Sequence, residues 1–328
     1  MPVSYSPSLR VAVLIPCLNE AASITTVVED FHAALPGAVI YVFDNASSDA
    51  TADRAKAAGA VVRREDRRGK GNVVRRMFAD VDADIYVLVD GDATYDAASA
   101  PAMIQRLNDQ DLDMVVAVRT GSTPDSYRAG HRFGNRAISG TVRYIFGEGV
   151  SDVLSGYRVF SRRFVKSFPS LSKGFDVETE MTVHALELWL AIDEMPSAYS
   201  ARPPNSHSKL RTVRDGLRIA WIILTLVRDG KPIPFFFAIA GLLAAAAIIL
   251  AVPIVGTFME TGLVPRFPTA ILATGMMVVA VVSVACGLIL DSISRGRVEM
   301  KRLHFLSLVG PRPTRPHHGE PPSHGQGG

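Results

Sequence analysis

Residues 85–95 read IYVLVDGDATY, an apolar run that ends in two aspartates separated by one glycine. Such a run is typical of a strand buried on both faces of a sheet. Four further apolar runs and four amphipathic stretches alternate with it, which predicts an α/β fold with a mostly parallel sheet and right-handed crossovers. The predicted strands are Arg10–Ile15, Ala38–Phe43, Ala60–Arg63, Ile85–Val89 and Met114–Val118, and the predicted helices are Ala22–Ala34, Ala50–Ala58, Lys70–Ala79 and Ala98–Leu107.

The composition is that of a folded chain with a large apolar share. Of the 328 residues, 48% are hydrophobic and 20% are charged, which excludes a disordered chain. The formal net charge of +3 is too small to indicate nucleic acid as a partner. Cys17 and Cys286 lie far apart in sequence, so we expect two reduced thiols. No signal peptide opens the sequence, and we therefore expect the N-terminal half to stay in the cytoplasm.

Two long uncharged runs follow the α/β region. They cover Ile233–Phe258 and Phe267–Leu290, and each exceeds the roughly 20 residues that span a bilayer as a helix. Lysines and arginines flank the outer ends of the pair. By the positive-inside rule, the sequence predicts a two-helix transmembrane hairpin in the inner (cytoplasmic) membrane, with both ends and the globular domain in the cytoplasm.

The stretch between the domain and this hairpin has charges at its ends and an apolar middle. Residues 212–229 read TVRDGLRIAWIILTLVRD, which predicts an amphipathic helix at the level of the lipid headgroups. A buried helix of a soluble core is the alternative. We therefore divide the chain into a globular domain (1–200), a juxtamembrane loop with an interfacial helix (201–231), two transmembrane helices (232–293) and a basic, disordered tail (294–328).

Polar clusters follow several of the predicted strands, at the edge where parallel sheets bind their ligands. Asp90 and Asp92 are spaced to converge on one hard divalent cation and leave positions open for phosphate oxygens. Such an ion makes a diphosphate a better leaving group. Asp44 is placed to accept a hydrogen bond from a nucleobase or a ribose, and Lys70, between two glycines, to approach a phosphate. Each cluster alone fits an ordinary turn or helix cap, but together they indicate a site.

A basic stripe is predicted on the helix that begins near residue 126. At 100° per residue, its polar side chains fall within roughly one third of the helix circumference. Several arginines on one stripe repel each other unless an anion lies against them, so we expect a phosphate there, with a solvated basic face as the alternative. The stripe consists of Arg128, Arg132, Asn135, Arg136, Ser139 and Arg143.

These motifs resemble the inverting, GT-A-fold glycosyltransferases of family 2. The resemblance covers about residues 10–230, and at Cys17 and Leu18 the sequence departs from the aromatic residue that the family often carries. The later motifs are similar to those of the polyisoprenyl-phosphate glycosyltransferases, the group of dolichol-phosphate mannose synthase. The motifs are Pro16…Asn19-Glu20, Asp44…Ser47-x-Asp49-x-Thr51, Arg67-x-Gly69-Lys70-Gly71, Asp90-x-Asp92, Asp152–Arg158, Gly174–Glu180 and Ser208-Lys209-Leu210.

The resemblance implies a Rossmann-like GT-A sheet and transfer of a hexose, with inversion, from a nucleoside-diphosphate sugar such as UDP-glucose onto undecaprenyl or dolichyl phosphate. It implies Mg²⁺ or Mn²⁺ on Asp90 and Asp92. The implied nucleotide-sugar residues are Pro16, Asn19, Glu20, Asp44, Ser47, Lys70, Asp90 and Asp92. Together with the basic stripe, the predicted acceptor-phosphate residues are Arg119, Arg128, Arg132, Asn135, Ser139, Arg158, Arg202 and Lys209. The predicted catalytic residues are Asp92, Arg132 and Asp152, the last orienting the acceptor or acting as a weak base.

Three alternatives stay open. A family 2 enzyme acting on a polysaccharide or another lipid acceptor would usually carry a Gln-x-x-Arg-Trp-type motif, which the sequence lacks. A nucleotidyltransferase would need a glycine-rich loop that residues 13–23 do not provide. A membrane-anchored nucleotide-sugar-binding module without catalysis would have little reason to keep both aspartates. The expected partners are thus the nucleotide sugar, the polyprenyl phosphate and the bilayer but no nucleic acid, with a homo-oligomer left open.

Overall fold

A computed structural model describes residues 9–120, 129–147, 149–172, 176–200 and 212–310, except for the side chains of residues 129–135 and 212–218. The strands in these ranges are β1 (Val11–Cys17), β2 (Val39–Asp44), β3 (Val61–Arg64), β4 (Ile85–Leu88), β5 (Met114–Thr120), β6 (Arg158–Ser161) and β7 (Ile192–Ala198). The α-helices are α1 (Ile24–Ala34), α2 (Thr51–Ala57), α3 (Lys70–Asp80), α4 (Ala100–Asp109), α5 (Ala129–Phe146), α6 (Arg162–Ser167), α7 (Val177–Glu187), α8 (Thr212–Gly230), α9 (Pro232–Thr261) and α10 (Phe267–Ser307). All nine elements predicted up to residue 118 form, with ends within two residues of the prediction.

The strands form one sheet in the order β3-β2-β1-β4-β6-β5-β7. The pairs β1–β2, β1–β4, β2–β3 and β5–β7 are parallel, and β6 runs antiparallel to both of its neighbours. The predicted mostly parallel sheet is confirmed. The carboxyl ends of the six parallel strands and the amino end of β6 therefore lie at the same edge.

Two hydrophobic cores cover opposite faces of this sheet. Successive side chains of a strand point to opposite faces, and β1 shows this directly. Val11, Val13 and Ile15 join a core with α1, α2 and α4, whereas Ala12 and Leu14 join a second core with α3, α5, α6 and α7. The result is a three-layer α/β/α sandwich whose loops at one edge are free to build a site.

The predicted amphipathic helix over residues 212–229 forms as α8. Its apolar side chains divide between two faces. Trp221 and Leu224 are exposed. The opposite face packs on the second core through Ile219, Ile222, Ile223 and Leu226.

Helices α9 and α10 are each long and apolar enough to cross a membrane. Gly262, with a left-handed φ of 67°, ends α9 and begins the short turn to α10. The two helices pack closely, since an added Cβ at Gly287 would lie 2.9 Å from Cβ of Phe236. The two apolar helices predicted from the sequence are confirmed.

Helix α10 runs well past its apolar part, and this corrects the predicted tail. Residues 294–307 are helical, so the boundary at residue 293 falls inside a helix, and the end of that helix lies on α6 and α7. Lys301 Nζ donates to Glu187 Oε2 at 2.7 Å, and the Arg163 guanidinium lies 5.0 Å from the Phe305 ring centroid. The apolar run ends at Asp291, but an i,i+4 ion pair to Arg295 supports the helix there. Residues 311–328 lie outside the described residues.

Candidate active site

The site lies at the sheet edge where the parallel strands end. Asp44 ends β2 beside Cys17 of β1, Asp90 lies two residues after the end of β4, and Arg119 lies near the end of β5. The segment that leads into β6 starts at Asp152 and arrives at the same edge. The topology thus brings together residues that are more than 100 positions apart in the chain.

At the β1–β2 side of this edge, Asp44 is a buried carboxylate. Its Oδ2 accepts from the Ser47 backbone N–H at 3.2 Å, whereas Oδ1 has no hydrogen-bond partner among the described residues. Ser47 Oγ in turn accepts from the Asn19 N–H at 2.9 Å. A buried acceptor left without a donor is costly. Asp44 Oδ1 therefore suits a ligand that brings an N–H or O–H.

The other residues predicted for nucleotide binding on this side also lie here. Glu20 is held by its backbone N–H, which donates to Thr51 Oγ1 at 2.9 Å. Pro16 lies in β1 opposite Phe43 of β2. Asn19 adopts a left-handed backbone with φ 55°. The structure thus places Pro16, Asn19 and Glu20 around the end of β1, next to Asp44.

Asn45 organises the neighbouring loop and was not among the predicted site residues. This buried side chain donates through Nδ2 to the carbonyls of Glu65 (2.9 Å) and Arg67 (2.8 Å). Its Oδ1 accepts from the Gly69 N–H at 2.7 Å. All its side-chain polar atoms therefore bind the segment just before α3, which carries Lys70. The sequence gives no signal that distinguishes Asn45 from the other polar residues of the turn that follows Asp44.

Lys70 lies in the site, but its ammonium faces two carboxylates. Nζ donates to Asp90 Oδ1 at 2.5 Å and to Glu178 Oε1, and the lysine side chain is only 8% exposed. Burial disfavours the charged lysine, but the charges of Asp90 and Glu178 outweigh it and raise the pKa of Lys70 above its ordinary value. The lysine therefore stays protonated and holds Asp90 in place.

The two aspartates after β4 differ in their surroundings. Asp92 is buried, and its Oδ1 accepts from Thr94 Oγ1 at 2.6 Å. Asp90 is 32% exposed and has its other side against Gly156, where an added Cβ would lie 2.9 Å from Asp90 Cγ. Both carboxylates are fixed by neighbours rather than free in solvent.

Asp90 and Asp92 fit a divalent ion whose remaining ligands come from a substrate and from water. The described residues contain no group of three or more His, Cys, Asp or Glu side chains able to hold a metal ion. Asp90 and Asp92 offer carboxylate oxygens only, and one or two carboxylates completed by phosphate oxygens and water are the usual protein ligands of Mg²⁺. The donor set therefore fits a metal–diphosphate complex.

Arg119 and Asp152 pair with each other. Arg119 donates from Nε and Nη2 to the two carboxylate oxygens of Asp152, both at 2.7 Å, and the pair is largely buried. The guanidinium also lies 5.5 Å from the ring centroid of Tyr199, which follows β7. The cation predicted for the acceptor phosphate and the carboxylate predicted as a weak base thus form one unit at the site.

Arg158 corrects a prediction. It was expected to bind the acceptor phosphate, but it is 0% exposed and faces the protein interior. It donates to the carbonyls of Ser155 (2.9 Å) and Val153 (2.6 Å) and to Thr182 Oγ1 (2.9 Å). Burial lowers its pKa to about 10. Its role is to shape the turn before β6, and the phosphate-binding prediction is wrong.

The predicted basic stripe does not form one open face in the described part of α5. Ser139 is buried with Ile138 and Val142, whereas Arg136 and Arg143 are exposed. The burial of Ser139 contradicts its predicted contact with an acceptor phosphate. Other predicted acceptor residues lie outside the described residues: Arg128, Arg202, Lys209 and the side chains of Arg132 and Asn135.

Comparison with known proteins identifies the family. Residues 12–168 match the model of Glycosyl transferase family 2. Glycosyltransferase AglJ of Haloferax volcanii is 33% identical over 238 residues, which are 72% of this chain and 78% of that protein. The chain belongs to glycosyltransferase family 2. The predicted family and the transferase class are confirmed.

Two further comparisons concern a more distant relative by sequence and a solved structure with a similar fold. Polyprenol monophosphomannose synthase of Mycolicibacterium smegmatis is 27% identical over 61% of this chain and 81% of its own. The crystal structure of glucosyl-3-phosphoglycerate synthase from Mycobacterium tuberculosis in complex with Mn²⁺, UDP-glucose and glycerol 3-phosphate gives a TM-score of 0.54. It is 24% identical and covers 67% of this chain and 79% of that one. The likeness confirms the GT-A fold.

Proposed function

We propose that this glycosyltransferase moves a hexose from a nucleoside-diphosphate sugar, of the UDP-glucose type, onto the phosphate of a polyprenol at the membrane surface. One observation carries the proposal. The edge that holds Asp44, Asp90 and Asp92 belongs to a chain that continues into two helices of membrane length. A sugar-transfer site attached to a bilayer anchor suits an acceptor that resides in the bilayer.

Asp44 is the proposed contact to the nucleoside. Its buried Oδ1 has no donor among the described residues, and a nucleobase N–H or a ribose O–H would supply one. Pro16, Asn19, Glu20 and Ser47 surround the same strand ends and complete the nucleoside side. The UDP-glucose complex of the structural relative supports a uridine donor.

Asp90 and Asp92 are the proposed ligands of Mg²⁺ or Mn²⁺. When bound, such an ion neutralises the diphosphate and so improves it as a leaving group. Lys70 keeps Asp90 in place and brings a positive charge to the same edge of the sheet. The Mn²⁺ in the structural relative supports the choice of ion.

The acceptor phosphate is the proposed nucleophile. One of its oxygens forms a bond to the anomeric carbon while the bond from that carbon to the diphosphate oxygen breaks, which inverts the configuration. A phosphate monoester is already anionic near pH 7, so no strong base is needed. The enzyme must instead bring two anions together, and this is unfavourable unless cations lie between them.

Arginines and one lysine are the proposed cations for the acceptor. Arg119 lies near the end of β5, at the same sheet edge as the aspartates, and Asp152 fixes its orientation. We include the predicted residues of α5 and of the loop before α8 on the basis of their charge. They are Arg128, Arg132, Asn135, Arg202 and Lys209.

A hairpin in the inner membrane is the proposed anchor. Lys231, just before α9, donates to the Tyr144 carbonyl, and the end of α10 lies on α6 and α7. Both outer ends of the hairpin therefore contact the same domain, which supports a location of the domain and both ends on one side of the membrane. The lysines and arginines that flank the hairpin favour the cytoplasmic side. The exposed Trp221 and Leu224 of α8 suit the headgroup region. Such an anchor raises the effective concentration of a lipid acceptor.

The test is transfer into lipid. Membranes containing the enzyme are incubated with polyprenyl phosphate and, one at a time, radiolabelled nucleotide sugars, with Mg²⁺ or Mn²⁺. We expect one sugar to enter the organic-solvent extract only when both polyprenyl phosphate and divalent ion are present. Label in an insoluble polymer would favour the polysaccharide alternative. Binding of nucleotide sugar without transfer of any sugar would favour the module without catalysis.

A further inference from the structure

Glu178, in the first turn of α7, is a buried carboxylate beside the aspartate pair. Its side chain is 6% exposed, and its Oε1 accepts from Lys70 Nζ. Its Oε2 has no hydrogen-bond partner among the described residues. A buried carboxylate is costly unless a cation pairs with it. Lys70 is the cation that pairs with Glu178, and it is shared with Asp90.

Lys70, Asp90 and Glu178 form what we term the lysine cluster. Lys70 contributes one positive charge, and the two carboxylates contribute one negative charge each. The cluster therefore keeps one net negative charge although its lysine is protonated. Without the Glu178 charge, the ammonium would neutralise Asp90 alone, and the cluster would carry no charge.

The cluster also fixes the orientation of Asp90. Oδ1 of Asp90 binds Lys70 at 2.5 Å, and Oδ2 lies against Gly156. Since Lys70 is pulled toward Glu178 as well, its ammonium lies at a defined point between α3 and α7. The Asp90 carboxylate is thereby held between a fixed cation and a backbone without a side chain.

We infer that Glu178 is a positioning residue that acts through Lys70 on Asp90. Because Lys70 also pairs with Glu178, its ammonium does not fully neutralise Asp90. The Asp90 carboxylate thereby keeps the negative charge and the orientation with which it binds a divalent cation together with a nucleoside diphosphate. This inference rests on the proposed function, in which Asp90 is a metal ligand.

The decisive variant is Glu178→Gln, which keeps the side-chain size and removes the charge. Full-length enzyme in detergent is titrated with Mn²⁺ at saturating UDP, and free Mn²⁺ is measured by electron paramagnetic resonance. We expect Mn²⁺ binding to weaken about 10- to 100-fold, the loss typical when an outer-shell partner of a metal ligand is removed. The matched control is Glu187→Gln, in the same helix, whose carboxylate pairs with Lys301 outside the site. It should bind Mn²⁺ like the wild type.

A double-mutant cycle tests whether the effect passes through Lys70. In a Lys70→Gln background, Glu178→Gln should change Mn²⁺ binding little, because the ammonium through which Glu178 acts on Asp90 is already gone. An equal loss with and without Lys70 would overturn the inference. So would wild-type Mn²⁺ affinity in a folded Glu178→Gln variant, with a lowered melting temperature as the only effect, since that is the result of a purely structural ion pair.

Two further arms keep the outcomes distinct. Where Glu178→Gln does not fold, Glu178→Asp takes its place, because it keeps the charge but withdraws the carboxylate from Lys70 by one methylene. It should weaken Mn²⁺ binding, and unchanged binding would count against the inference. Failure of the wild-type enzyme itself to bind Mn²⁺ with UDP would overturn the proposed metal site, and this inference with it.

Discussion

Gly156 lies so close to Asp90 that an added Cβ would be 2.9 Å from the aspartate Cγ and nearer still to Oδ2. The two residues are 66 positions apart and meet because β6 runs antiparallel beside β4. Asp90 is held on its other side by Lys70, so its carboxylate has no room to retreat without breaking that contact. The glycine is therefore part of what places the carboxylate.

Gly156→Ala should displace the Asp90 carboxylate and lower divalent-dependent transfer by at least about tenfold, because overpacking a fixed site forces its neighbours to move. The measurement is initial rate against Mn²⁺ concentration. Gly296→Ala is the control, since nothing lies within 4 Å of its added Cβ in α10. Equal rates for the two variants would show that Asp90 tolerates the shift.

Asp92→Asn should abolish most divalent-dependent transfer, with a loss on the order of 10² or more, because an amide replaces the charged carboxylate that we propose as a metal ligand. The amide oxygen of the new asparagine can still accept the hydrogen bond from Thr94 Oγ1, so the variant should still fold. Transfer rates and Mn²⁺ binding are measured together. Asp109→Asn, on the exposed end of α4, serves as the control. Unchanged turnover in Asp92→Asn would contradict the metal assignment.

Asn45→Ala should loosen the segment before Lys70. It removes three hydrogen bonds to Glu65, Arg67 and Gly69, which together contribute about 2–3 kcal/mol to folding. We expect a lower melting temperature and a raised KM for the nucleotide sugar, because the loop borders the proposed donor site. Gln105→Ala, on the exposed face of α4, should change neither quantity. A normal KM in Asn45→Ala would mean that the loop does not position the donor.

The docked end of α10 should stabilise the catalytic domain. A partly exposed ion pair such as Lys301–Glu187 and a cation–π contact such as Arg163–Phe305 contribute about 0.5–1 kcal/mol each. Lys301→Ala with Phe305→Ala should lower the melting temperature slightly and reduce turnover on a long-chain acceptor more than on a short, soluble one. Equal losses on both acceptors would show that docking does not position the site over the lipid.

Lowering the pH below neutrality should destabilise the fold through His184. Burial, together with the nearby charge of Lys301, lowers the pKa of His184 to about 3, against about 6.5 in the unfolded chain. Between these values the unfolded chain binds the proton and the folded one does not, so stability falls as the pH falls. At pH 5 the loss from this residue is about 2 kcal/mol.

Melting temperatures at pH 7 and pH 5 test this. His184→Gln, which keeps a polar group near Ser167, should show a smaller decrease between the two pH values than the wild type. The comparison isolates the histidine, since carboxylates that titrate in the same range are common to both proteins. Identical decreases would rule out His184 as the source.

The positions of Asp44, Asp90 and Asp92 were predictable because each follows a strongly apolar run, and parallel strands end at one edge. The burial of Arg158 was not predictable, since its partners come from the turn before β6 and from Thr182 of α7. Lys70 contacts both Asp90 and Glu178. Since Glu178 lies 108 positions after Lys70, no local sequence pattern indicates this contact. Strand β7 was missed because IDEMPSA, an edge strand, carries two carboxylates and a proline.

Helix α10 contains 41 residues and is thus about 60 Å long, roughly twice the thickness of a bilayer's hydrocarbon core. Because the C-terminal end of α10 contacts α6 and α7, the helix acts as a rigid spacer. Its length fixes the rotation of the domain about the helix axis. One extra residue between Asp291 and Lys301 would turn the fastened face by about 100° and raise it by about 1.5 Å. In the proposed membrane-bound state, the length of this single helix thereby sets both the height of the sheet edge above the lipid and the direction in which that edge faces.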